Sequence, residues 1–86
     1  MSTTAPDDLV KEGMNPEQAK VLAGVIDTPV SAAAATQKLI GIGFPYPLAT
    51  ELGSQCQAGT GTVATLAALG VPFNLAAAIK TAIDAV

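Results

Sequence analysis

The sequence predicts an all-α fold of about six short helices, arranged as three αα-hairpins in one small bundle or array. The first observation behind this is a repeat around three glycines, Gly13, Gly43 and Gly70, which are 30 and 27 residues apart. The second is the recurrence of apolar residues at three- and four-residue steps, which is typical of one face of a helix. The third is that no run alternates β-branched and polar residues, as a half-buried strand would.

Each copy of the repeat places the same kinds of residue at the same distances from its glycine. A leucine comes four residues before the glycine, a bulky apolar residue one after it, an alanine six after it, and apolar residues nine and thirteen after it. The copies are Leu9, Met14, Ala19, Leu22 and Ile26; Leu39, Phe44, Ala49, Leu52 and Cys56; and Leu66, Val71, Ala76, Ile79 and Ile83. A period near 30 residues in three copies predicts stacked hairpins with a shared core.

Length and composition indicate one domain, residues 1–86, with a core of small side chains. Half of the residues are hydrophobic and 13% are charged, which excludes ordinary disorder. Seventeen residues are alanine, whereas there are only two Phe, one Tyr and no Trp. Because such a core buries little area per residue, we expect the chain to share apolar surface with a partner or with itself, as a docked subunit or a homo-oligomer.

The predicted elements begin with a flexible lead, residues 1–6, followed by a hairpin over about 7–28. Asp7 or Asp8 can cap its first helix, and Gly13 ends that helix as a left-handed residue. Asn15 and Pro16 then start the second helix, because Asn is a favoured N-cap and Pro is favoured at the first helical position.

The second hairpin covers about residues 31–58. It begins with the strong helix formers Ala32–Ala35, which could also mark a close contact between helices. Gly41 either lets another backbone approach or frays the last turn before Gly43. The prolines of Phe44–Pro47 restrict the residues before them, so this turn is expected to be rigid. The partner helix runs from about Pro47 to Gln57.

The third hairpin covers about residues 62–86 and follows a linker, residues 58–61. Thr60 or Thr62 can cap a short helix from Val63 to Leu69, which Gly70 ends. The last helix runs from Phe73 to Ala85. Whether the three hairpins form a closed bundle or an open array is left open by the sequence.

Several kinds of chemistry are excluded by residue types that the chain lacks. It has no histidine and one cysteine, Cys56, so histidine-based catalysis, histidine metal ligands and cysteine zinc clusters are excluded. Gly41–Gly43 and Gly59–Thr62 do not complete a phosphate-binding motif, and we interpret them as a helix end and a linker. Cys56 occupies an apolar repeat position, which favours a buried side chain over a reactive thiol. We therefore expect no enzymatic activity, no metal and no cofactor.

Charge and hydropathy limit the classes of partner that the chain could bind. The net charge is −3, with four lysines and no arginine, so the basic patch that direct nucleic-acid binding requires is missing. The start of the chain is polar and acidic, unlike a signal peptide. The longest nearly uncharged stretch, Gly53–Ala78, is broken by glycines and a proline, so we expect no membrane span.

The aromatic residues lie in the turns and mark the candidate partner contacts. Phe44 occupies the repeat position of Met14 and Val71, which favours the core for this side chain. Tyr46 and Phe73 come three residues after their glycines, where an exposed aromatic could anchor a partner. The candidate contacts are Phe44, Pro45, Tyr46, Pro47, Val71, Pro72 and Phe73.

Two resemblances concern the repeat itself. The pattern L-x-x-x-G-(F/M/V)-x-x-x-x-A, with Pro-Leu-Ala-Thr-Glu-Leu after the second turn, resembles repeats in small virion-associated proteins of tailed bacteriophages. Leu39–Gln57 and Leu66–Ile83 match best, and Leu9–Ile26 matches more loosely. This resemblance implies a structural protein of the virion, made in the host cytoplasm without a signal peptide. It would be a capsid decoration (cement) protein or a head or tail accessory, binding capsid or neighbouring virion proteins in many copies.

The second resemblance concerns Ile42-Gly43-Phe44 followed by Ala49 and Leu52, which is similar to the Met-Gly-Phe turn and next helix of ubiquitin-associated domains. It implies a small adaptor that binds proteins, although those domains carry the turn once and this chain carries it three times. A third class, a membrane-active peptide, is favoured by the mean hydropathy of +0.48. The acidic N-terminal third and the lack of a cationic face disfavour it.

Overall fold

The structure is a computed structural model that describes residues 6–28 and 31–85. Its helices are α1 (Pro6–Lys11), α2 (Pro16–Asp27), α3 (Ala32–Ile40), α4 (Tyr46–Ala58), α5 (Val63–Ala68) and α6 (Phe73–Asp84). No strand occurs within these two ranges. The predicted all-α fold of six short helices is confirmed, and the predicted flexible lead, apart from Pro6, lies outside the described residues.

The three glycine turns share one backbone geometry. Gly13, Gly43 and Gly70 have φ of 105°, 98° and 98°, a region that L side chains rarely adopt. In each turn the glycine N–H donates to the carbonyl three residues before it, and the next N–H donates to the carbonyl of the repeat leucine, at 2.9–3.1 Å. These two bonds define a Schellman motif, which satisfies the last carbonyls of the first helix and turns the chain sharply.

The residue two positions after each glycine and the repeat alanine together start the second helix of each hairpin. The carbonyls of Asn15, Pro45 and Pro72 accept the first helical hydrogen bonds, from alanines four residues later, at 2.8, 2.8 and 2.9 Å. Those alanines, Ala19, Ala49 and Ala76, have no exposed surface. Since each lies on the first turn of a helix that packs against its neighbours, a longer side chain would have no room there.

The hairpins close on one another around a single core. All fifteen repeat positions are buried and belong to one apolar cluster. Helix α1 contacts α6, so the first and third hairpins meet, and the radius of gyration is 11.0 Å. The accessible surface of 4580 Å² is close to the roughly 4,700 Å² expected of a compact monomer of 8.5 kDa. The structure is therefore a closed bundle and not an open array.

The closest packing joins α3 to α4. A Cβ built at Gly53 would lie 2.9 Å from the carbonyl oxygen of Ala32 and 2.9 Å from Thr36 Oγ1. The Thr36 hydroxyl itself donates to the Ala32 carbonyl at 2.7 Å. Ala32–Ala35 therefore does mark a close contact between helices. Gly41, by contrast, lies at the end of α3 with φ −60° and meets no neighbouring element.

The helix starts differ from the prediction in two places. Asp7 and Asp8 do not cap α1 but lie inside its first turn, where their charges face the positive end of the helix. Thr62 precedes α5 but makes no side-chain cap bond. The linker before α5 is instead held by its neighbours: Gly61 N–H donates to Asp84 at 2.9 Å and Thr62 N–H donates to Gln55 Oε1 at 3.3 Å.

Candidate binding site at the three-turn cleft

The three glycine turns converge on one cleft of about 240 Å³, which we call the three-turn cleft. Each turn contributes its glycine and the two residues after it to the lining. This convergence follows from the repeat, because three hairpins with the same turn geometry have closed around a shared core. The contributed residues are Gly13, Met14, Asn15, Gly43, Phe44, Pro45, Gly70, Val71 and Pro72.

The walls of the three-turn cleft are mainly apolar. The residue five positions after each glycine also lines it: Leu48 and Leu75 in the second and third copies, and Gln18 in the first. Gln18 is held in place, because its Nε2 donates to the carbonyl of Ile42 at 3.1 Å. Gln18 and Asn15 therefore make the first-turn side of the cleft polar, and the amide of Gln18 ties the first turn to the second.

Among the residues that the structure describes, no ionisable side chain lines the three-turn cleft. The chain carries no charged residue between Glu51 and Lys80, nor between Lys38 and Glu51, so the second and third turns are neutral over their whole length. Charges come near only at the first turn, where Glu12 and Glu17 are exposed. A neutral apolar surface of this kind can bury another apolar group without leaving a charge unpaired.

The structure separates the predicted contact residues into two groups. Phe44 and Val71 are each 8% exposed, so they are core residues that contribute only a wall to the three-turn cleft. The repeat position of Phe44 predicted this burial, and the Schellman turn directs the side chain after the glycine inward in both turns. Tyr46 and Phe73 are 67% and 70% exposed.

The exposed aromatics do not line the three-turn cleft, but each directly follows in the chain a proline that does, Pro45 or Pro72. Tyr46 is the first residue of α4 and lines a separate shallow groove with Thr50 and Ser54 and with residues of α3. Phe73 is the first residue of α6, at the same place in the third copy. The prolines beside them, Pro45, Pro47 and Pro72, are also exposed. The neutral end of the bundle therefore presents a cleft with aromatic side chains next to it.

The sequence prediction missed Leu48, Leu75 and Gln18 as cleft residues. Their shared position, five residues after each glycine, was a signal that the alignment of the three copies contained. This signal is weak, because Gln18 breaks the apolar series in the first copy.

Other candidate chemistry finds no support among the described residues. Cys56 is buried, as predicted, and burial raises the pKa of its thiol to about 11, which keeps it protonated at neutral pH. No group of three or more Cys, Asp or Glu residues that could hold a metal ion occurs in the described ranges. Of the helices described, none is long and apolar enough to cross a membrane.

Comparisons with protein-family models, with curated proteins and with solved structures gave no match.

Proposed function

We propose that this chain is a non-enzymatic structural protein that docks onto another protein through the three-turn cleft and the aromatic side chains beside it. The observation that supports this most is the convergence of all three repeat turns on one neutral, apolar cleft. Because the turns repeat, the same short motif builds both the core and the docking surface.

The size of the three-turn cleft favours a side chain of a partner protein over a small molecule. Pockets for cofactors and drug-sized ligands usually hold about 300–1,000 Å³, more than the cleft volume of about 240 Å³. A single large apolar side chain suits a cleft of this size. Protein interfaces are commonly anchored by such a residue in a well-packed pocket.

Tyr46 and Phe73 add contact area around that anchor. A large aromatic side chain buries about 150–250 Å² when fully covered. Tyr46 and Phe73 are 67% and 70% exposed in the free chain, so both can gain substantial burial in a complex. The rigid Pro-flanked turn holds Tyr46 before binding, which lowers the entropy lost on association.

The setting we propose is the virion of a tailed bacteriophage, with the chain as a capsid decoration protein or a head or tail accessory in many copies. The resemblance of the repeat motif supports this setting. The closed core adds to it, because a protein that is folded before docking can add to a particle as a separate subunit.

The second candidate is a protein-binding adaptor similar to ubiquitin-associated domains. The exposed end of the bundle around Gly43 and Tyr46 favours it, because a protein-binding adaptor uses such a surface to recognise a partner. The two candidates share the docking surface and differ in where the chain is found.

The test is quantitative mass spectrometry of purified phage particles that carry the gene for this chain. We expect many copies per particle, in a fixed ratio to the capsid protein. Absence of the chain from purified particles, with the chain present in the infected cell, would exclude the virion setting and favour the adaptor.

A further inference from the structure

A second groove lies away from the three-turn cleft, between α2 and the end of α3, and we call it the lysine groove. Its volume is about 530 Å³, within the range of recognised binding pockets. Its lining combines apolar side chains with two cations. The lining residues are Lys20, Val21, Gly24, Val25, Thr28, Lys38 and Ile42.

The charge of the lysine groove is opposite to that of the chain. Lys20 and Lys38 are two of four lysines in a chain of net charge −3, and no acidic residue lines the groove. Both are exposed, and neither forms an ion pair with any described residue. Two cations on opposite elements, α2 and the end of α3, therefore flank an apolar floor whose lining, in the described part of the chain, includes no acidic side chain.

Gly24 is a second, independent observation on the same groove. It lies inside α2, where glycine is a poor helix former, and a Cβ built on it would meet nothing within 4 Å. The packing of residues 6–28 and 31–85 therefore gives no reason for a glycine at this position. Its absent side chain leaves the floor between Val21 and Ile42 open to close approach from outside.

We infer that the lysine groove binds an acidic amphipathic segment of a partner protein. An apolar side chain of that segment rests on the floor over Gly24, and carboxylates on either side of it pair with Lys20 and Lys38. Two lysines around an apolar floor do not suit a nucleic acid, whose binding needs many cations along the phosphate backbone. This site goes beyond the function proposed above, because it shares no lining residue with the three-turn cleft.

The test is an NMR titration of the full chain, labelled with ¹⁵N, at low salt. The probe is a synthetic amphipathic peptide of about 14 residues whose leucine face is flanked by glutamates, and the control probe has lysine in place of each glutamate. We expect the acidic peptide to shift the amide signals of Val21, Gly24 and Ile42, and to bind about tenfold more weakly when the ionic strength rises about tenfold. Equal binding of both peptides, shifts elsewhere, or no shifts at all would overturn the inference.

Matched variants separate the groove from general charge effects. The double variant K20E/K38E is expected to bind the acidic peptide at least about tenfold more weakly and to gain binding of the lysine peptide. The control K11E changes an exposed lysine on α1 that does not line the groove, and it is expected to bind as the unchanged chain does. Thermal unfolding checks that all variants are folded. Unchanged binding by K20E/K38E would refute the role of the lysines.

Discussion

The contact between α3 and α4 gives the sharpest test of the fold, through Gly53→Ala. A Cβ at residue 53 would lie 2.9 Å from two oxygens, which is closer than real Cβ atoms approach. One of them is the backbone carbonyl of Ala32, and the other, Thr36 Oγ1, is held by its own hydrogen bond to that carbonyl. Neither can move away without shifting α3 or breaking that bond, so the two helices must separate.

The expected magnitude follows from two opposing effects. Overpacking of a close contact costs about 1–3 kcal/mol, whereas replacing a helical glycine with alanine contributes about 0.8–1 kcal/mol to helix stability. The net loss in the free energy of unfolding is then about 0–2 kcal/mol, with about 1 kcal/mol at the middle of these ranges. For a domain of this size, 1 kcal/mol corresponds to roughly 4–8 °C in Tm. We therefore expect Gly53→Ala to lower Tm by several degrees.

Gly24→Ala is the matched control, because it makes the same chemical change inside α2 where a Cβ meets nothing. It is expected to raise the free energy of unfolding by about 0.5–1 kcal/mol. Urea unfolding followed by circular dichroism measures both variants against the unchanged chain. If Gly53→Ala were as stable as Gly24→Ala, the close α3–α4 contact, and the reasoning from it, would be refuted.

Three further outcomes concern caps and titrating groups. Asn15→Ala removes the side-chain oxygen that accepts from two N–H groups at the start of α2, at 2.9 and 3.4 Å, and should cost about 1 kcal/mol in urea unfolding. Burial raises the pKa of Cys56 to about 11, so as the pH rises the thiol of the unfolded chain loses its proton before that of the folded chain. The free energy of unfolding should therefore fall above about pH 9, and it should fall more in the unchanged chain than in Cys56→Ala. The hydrogen bonds from Lys80 and from Gly61 N–H lower the pKa of Asp84 in the folded chain. The stability that this carboxylate contributes is present above the pKa of Asp84 in the unfolded chain, and it is lost as the pH falls through the pKa in the folded chain. Asp84→Asn should therefore flatten the acid limb of the stability profile, and an unchanged limb would count against this pairing.

Much of the fold could be predicted because the repeat encodes it locally. A positive φ at each glycine, an apolar residue after it and helical spacing on both sides determine an αα-hairpin without reference to the rest of the chain. The same local signals located Asn15 as an N-cap, which the structure confirms with two hydrogen bonds. Exposure of Tyr46 or Phe73 depends on which way a first helical residue points, so the sequence left it open.

Closure of the bundle, the three-turn cleft and the lysine groove could not be predicted, because all three depend on how the hairpins meet. The contact of α1 with α6 joins residues far apart in sequence, and no local pattern reports it. The lysine groove likewise brings Lys20 and Lys38 together from different hairpins. Close packing of many small residues covers the core within one chain, whereas the expectation of a docked subunit or homo-oligomer concerns the outer surface and stays a prediction.

The most direct test of the proposed function measures incorporation of variants into purified phage particles. The variant Leu48→Gln replaces an apolar wall of the three-turn cleft with an amide, the side chain that Gln18 has at the same repeat position. The variant Phe73→Ala removes an exposed aromatic side chain. Both should leave the chain folded, as thermal unfolding can check, and Lys11→Glu serves as a surface control. We expect Leu48→Gln and Phe73→Ala to be lost from particles, while Lys11→Glu is retained in many copies per particle. Incorporation of Leu48→Gln and Phe73→Ala at the level of the unchanged chain would contradict docking through the three-turn cleft.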